Sequence, residues 1–173
     1  MVDKIMEPHS PEQDVKIVVT GPYNAGKSEF VQRFGIKPIN VAVNGTTVGL
    51  DFTHEMIDNF HVHIFGTPGQ DHFRDVQQCV ARGASGVILV LDSTDPATFA
   101  QVEQLTKRIK AVCGRVPLVI CANKQDKDGA LPPERIKQML GFKGKVIGSS
   151  ALHGEGTKTT LVEVLKQIRK AED

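Results

Sequence analysis

Along the chain, apolar positions cluster into short dense runs separated by polar stretches marked with glycine and proline. The run Val15-Lys16-Ile17-Val18-Val19-Thr20 is β-branched and stops at Gly21-Pro22. It predicts a buried strand that enters a loop, with a helix following from Gly26. Residues 35–46 have no clear period and are rich in Gly, Pro and Asn, so a loop is expected there. Two strand-like segments, 47–57 and 60–65, flank Asp58-Asn59, a connection suited to an antiparallel hairpin. From there the pattern alternates. Strands are predicted at 86–92, 117–122 and 145–148, and helices near 71–82, 97–112, 133–140 and 157–171.

In the second of these helices Val102, Leu105, Ile109 and Val112 recur at three- and four-residue steps, while Lys107, Arg108 and Lys110 belong to a solvated face. The predicted strands are almost wholly apolar rather than alternating, as expected when helices cover both faces of a parallel sheet. The pattern therefore predicts an α/β fold, doubly wound, with a mostly parallel sheet and one antiparallel hairpin. Residues 1–14, polar and proline-punctuated, are expected to form a flexible N-terminal tail, and 15–173 a single domain.

Composition narrows the functions open to such a fold. With 40% hydrophobic residues, 24% charged residues and a net charge of +1, the chain lacks the Lys/Arg excess that binding nucleic acid favours. Cys79, Cys113 and Cys121 form no C-x-x-C pair and are expected to be reduced, mostly packed thiols of a cytoplasmic protein. The first residues lack the charged-then-apolar pattern of a signal peptide, and no apolar run is long enough to span a bilayer. Val2 and the cysteine-free last four residues carry no common lipidation signal, so no direct membrane anchor is expected. His61 and His63 share a predicted strand, with His54 and His72 elsewhere, but without the cysteine or carboxylate spacing of a structural zinc site.

Three motifs carry chemistry. Gly21-Pro22-Tyr23-Asn24-Ala25-Gly26-Lys27-Ser28 satisfies G-x-x-x-x-G-K-[ST] between a predicted strand and a predicted helix. In such a P-loop, glycines let successive N–H groups point at phosphate oxygens, Lys27 reaches the β- and γ-phosphates, and the Ser28 hydroxyl binds Mg²⁺. Asn24, Ala25, Gly26, Lys27, Ser28 and Glu29 form the expected phosphate-side set. Asn123-Lys124-Gln125-Asp126 ends the strand at 117–122, on the edge where open α/β sheets bind ligands. The Asp126 carboxylate can accept from the N1–H and 2-amino groups of guanine, a donor pair that adenine lacks. Asn123 would bridge loops, and the Lys124 stem would cover the face of the base. Farther on, Ser150-Ala151-Leu152 follows the last strand, where a backbone N–H near Ala151 would meet the guanine 6-oxo group.

With these elements in this order, the chain after residue 14 resembles the Ras-like small GTPases. The resemblance implies a six-stranded sheet with five helices, Mg²⁺-dependent binding of GTP and GDP, slow hydrolysis, and two switch segments that read the γ-phosphate. Its implied partners are effector, exchange and GTPase-activating proteins, acting on a monomer. Thr47, in Thr47-Val48-Gly49, would bind Mg²⁺ and the γ-phosphate, with Thr46 ranked second. In Phe65-Gly66-Thr67-Pro68-Gly69-Gln70, Gly69 would offer its N–H to the γ-phosphate, and Gln70 would orient the attacking water.

Two departures stand out. Gly66 replaces the family's aspartate, as in the prokaryotic MglA-like and conservon-type GTPases, and Asp51 on the preceding strand is a candidate substitute toward the metal. Tyr23 occupies a position where much of the Ras branch has glycine, which predicts very slow intrinsic hydrolysis and insensitivity to an inserted arginine. A GTP-binding scaffold with little or no turnover is the alternative. A small-molecule phosphotransferase would need a lid, and no inserted segment supplies one.

Overall fold

A computed structural model describes residues 12–35, 39–68 and 74–173, except for the side chain of Thr46. In chain order its elements are β1 Gln13–Thr20, α1 Lys27–Gln32, β2 Ile39–Val43, β3 Thr46–Leu50, β4 Phe52–Ile57, β5 Phe60–Gly66, α2 Arg74–Ala81, β6 Gly86–Asp92, a 3-10 turn Pro96–Phe99, α3 Ala100–Cys113, β7 Leu118–Asn123, α4 Pro133–Leu140, β8 Val146–Gly148 and α5 Thr157–Glu172. Six strands form one sheet in the order β4-β5-β1-β6-β7-β8. All its neighbours are parallel except β4, which runs antiparallel to β5.

The apolar runs bury both faces of this sheet. On one side Phe30 of α1 and Leu161, Val164 and Leu165 of α5 pack on Ile17, Val62, Ile64 and Ile88. On the other, Val102 and Leu105 of α3 and Ile136 of α4 cover Leu89, Leu91 and Ile120. The loop after β1 thus emerges at the carboxyl edge of a central strand, beside the point where strand order reverses, which is where such sheets bind ligands.

The fold departs from the sequence reading between residues 39 and 57. In place of a loop and one long strand, β2 and β3 form a separate antiparallel pair joined through Asn44-Gly45. Both turn residues have positive φ, 50° and 78°, as a two-residue hairpin turn requires. The pair buries Val48 and Leu50 against Val18 of β1 and Val76 and Val80 of α2, and Asn44 Nδ2 donates to Asp75 Oδ2 at 3.1 Å. The expected long strand is interrupted at Asp51.

Smaller differences concern ends and thiols. Strand β1 starts at Gln13, before the predicted tail boundary, and the tail residues 1–11 lie outside the described residues. Cys79 is exposed, contrary to the expectation of packed thiols. Cys121 is fully buried, and burial pushes its thiol up to about 11. Among the described residues no helix is long and apolar enough to cross a membrane.

Candidate functional site

The loop from Gly21 to Gly26 wraps around the ammonium group of Lys27. Its Nζ donates to the carbonyls of Gly21 at 3.1 Å and Pro22 at 2.7 Å, and the residue is only 8% exposed. Burial pushes its pKa down to about 8, with Glu29 pulling in the opposite direction. Gly26 holds φ 98°, and a Cβ there would lie 2.1 Å from Asn123 Nδ2, so only glycine lets the two loops touch. Lys27, Ser28, Asp51, Gly66 and Pro68 line a cleft of about 290 Å³, with Tyr23, 67% exposed, at its side.

At one wall of that cleft the Ser28 hydroxyl donates to Asp51 Oδ2 at 2.6 Å. Asp51 is the single residue between β3 and β4, and its carbonyl accepts from Gly66 N–H at 2.8 Å. A Cβ on Gly66 would sit 3.3 Å from Asp51 Cβ and 3.4 Å from Val31 Cγ2, so residue 66 has little room for a side chain while Asp51 is in place. A hydroxyl and a carboxylate beside a phosphate loop are hard oxygen donors of the kind that Mg²⁺ takes.

Of the sequence-predicted metal set, Ser28 and Asp51 are brought together and Thr47 is not. Thr47 is exposed in β3, paired with Ala42, and does not line the cleft. The β2–β3 ladder, absent from the sequence reading, holds it there. Gly69 and Gln70 lie outside the described residues.

A second, smaller cleft of about 100 Å³ adjoins the first through Gly26 and Glu29, and Asn123, Lys124, Asp126, Lys127 and Leu152 complete its lining. Buried Asn123 organises it. Its Nδ2 donates to Ala25 O at 3.0 Å, and its Oδ1 accepts from Ala151 N at 2.9 Å and Ser149 Oγ at 3.1 Å. Lys124 turns at φ 63° and ties Asn24 O, at 2.8 Å, to Asp92 Oδ2, at 2.7 Å. Burial raises the Asp92 pKa, but the hydrogen bonds from Lys124 and Thr94 outweigh it and hold the carboxyl below its usual range. Asp126 accepts from Ser150 Oγ at 2.7 Å, which keeps this carboxylate ionised, and His153 Nε2 lies 3.6 Å from its other oxygen.

The predicted residues Asn24, Gly26, Lys27, Ser28 and Glu29 on one side and Asn123, Lys124, Asp126 and Leu152 on the other thus line one elongated depression, with Ala25, Ser150 and Ala151 behind it. Sequence reasoning missed the supports, above all Asp92 and Ser93. A polar pair closing an apolar strand at the sheet's carboxyl edge was the available signal. Ser93 Oγ accepts from Gln125 Nε2 at 2.8 Å, so the two residues hold the base loop from below.

A phosphate loop joined edge to edge with a guanine-type base loop suits a guanine nucleotide, and comparison with known proteins agrees. The family model described as "Ras family" matches residues 16–170. The yeast (Saccharomyces cerevisiae) Ras-related protein SEC4 is 32% identical over 168 residues, 92% of this chain and 77% of that protein. The human EF-hand calcium-binding domain-containing protein 4B is 29% identical over 174 residues, 96% of this chain, which spans 24% of that longer protein. Among solved structures, the Arl6 BBS3 small GTPase from Trypanosoma brucei, with the bound nucleotide analogue GppNp, superposes with a TM-score of 0.74 at 21% identity, covering 91% of this chain and 98% of that one. The chain therefore belongs to the Ras family of small GTPases, GTP-hydrolysing proteins that act as guanine-nucleotide switches.

Proposed function

We propose that this switch holds GTP and GDP with Mg²⁺ through Ser28 and, in place of the aspartate missing at Gly66, through Asp51. The hydrogen bond between Ser28 Oγ and Asp51 Oδ2 at 2.6 Å carries the reading. Bound Mg²⁺ would neutralise charge on the β- and γ-phosphate oxygens. Lys27 supplies the second positive charge, and Asp126, fixed by Ser150, selects guanine. In its Gly-Thr-Pro-Gly-Gln run the chain resembles the MglA-like branch, and Tyr23 beside the cleft favours slow turnover that an inserted arginine does not speed. Thr47 would join the site only after the β2–β3 pair rearranges.

Outer carboxylates of a metal site are typically worth about 10- to 100-fold in metal affinity. Asp51→Asn should therefore raise, by that factor, the Mg²⁺ concentration needed to slow GDP release. Asp51→Gly combined with Gly66→Asp, which also removes the crowding Cβ, should recover most of it. An unchanged Mg²⁺ dependence in Asp51→Asn would remove Asp51 from the metal site.

A further inference from the structure

Outside the lining of both clefts, Arg33 follows the last turn of α1 and reaches across to the loop after β8. Its Nε donates to Ala151 O at 2.5 Å, and its Nη2 donates to Leu152 O. The guanidinium group packs beside Gly154, where an added Cβ would lie 3.4 Å from Nη1. The same loop is held from the inside by Asn123, which takes the Ala151 N–H.

A trans peptide fixes the consequence. The carbonyl of Ala151 and the N–H of Leu152 belong to one planar unit and point in opposite directions. That carbonyl accepts from Arg33 and, at 3.2 Å, from the Gly154 N–H, so the Leu152 N–H faces the opposite way, and Leu152 lines the cleft beside Asp126 and Lys124. Ala151 N–H is already committed to Asn123, which leaves the Leu152 N–H as the candidate donor to the base edge.

We infer that Arg33 is a positioning residue for guanine recognition, holding the 151–152 peptide so that the Leu152 N–H meets the 6-oxo group of the base. A planar fork with donors on two nitrogens suits two successive carbonyls, which a single flexible amine does not reproduce. The inference rests on the guanine-nucleotide reading above. It adds that base selectivity is set partly by a side chain that does not line the base cleft.

The test pairs Arg33→Ala and Arg33→Lys with two ligands, GDP and 2-aminopurine riboside 5′-diphosphate, which keeps the ring and the 2-amino group but lacks the 6-oxo group and with it the N1–H, so each variant is compared with wild type on the same ligand. Arg33 is exposed, so its removal opens no core cavity. In Arg33→Ala, GDP should bind about tenfold more weakly, the scale of one well-made hydrogen bond. The analogue should lose less than twofold, and Arg33→Lys should recover part of the GDP loss. Equal losses for both ligands, or no loss for GDP, would overturn the role of Arg33. Wild-type protein that does not prefer GDP to ADP would overturn the guanine reading itself, a separate failure.

Discussion

Lys27 shows how far single residues were legible in the sequence and where they were not. The motif marks it as the expected phosphate ligand, but only the fold shows its ammonium buried among loop carbonyls, where burial pushes its pKa down to about 8. Below pH 8 the folded and unfolded chains both hold this proton. Between about 8 and the ordinary 10.5 the unfolded chain keeps it and the nucleotide-free fold has released it, so stability of the nucleotide-free protein rises with pH across that window. Nucleotide affinity should move the other way, because phosphate demands the charged form. Titration calorimetry should find affinity falling above pH 8 by up to about tenfold per pH unit, with proton uptake on binding. Lys27→Met should abolish that slope. Asn123, Lys124 and Asp126 were readable because they lie together in sequence. Asp92, Ser93 and Arg33 were not, because the base-site residues that they hold, Lys124, Gln125 and Ala151, are 32 or more positions away.

At the level of elements, strands β6 and β7 and helices α3, α4 and α5 match the elements expected from the apolar pattern, since each buries apolar residues in the core. The β2–β3 pair was hidden because Ile39, Val41 and Val43 are only half-buried and alternate weakly with polar residues. Asn44-Gly45 was the signal that names it. Gly45 at φ 78° has open space around its missing Cβ, so a substitution there acts through the backbone alone. Gly45→Val should cost about 1–2 kcal/mol locally, the usual scale of left-handed strain. Hydrogen exchange should then quicken through residues 39–50 while the amides of β1 and β6 keep their protection. Uniform loss of protection would mean that the pair folds as one unit with the main sheet.

Across the whole molecule, apolar strands alternating with helices pointed to the layered architecture, but not to how tightly its layers meet. Gly86 opens β6 beneath α5, and a Cβ there would come within 2.5 Å of Val164 Cγ1 and 3.2 Å of Ile168 Cδ1. Gly86→Ala should destabilise the fold by about 1–3 kcal/mol through overpacking, read as an earlier denaturant midpoint. GDP affinity measured well below that midpoint should stay the same, since the phosphate loop leaves the opposite end of the sheet. The placement of Asp51 reaches further than the metal site itself. A carboxylate at position 66 would be carried by β5, locked in register with β1, whereas one at 51 sits on the joint between the β2–β3 pair and the sheet. With Asp51 in the proposed metal role, magnesium would act as an allosteric effector of the joint: by thermodynamic reciprocity, any rearrangement of β2–β3 that moves Asp51 would change metal affinity, and free Mg²⁺ would bias that rearrangement by the same factor.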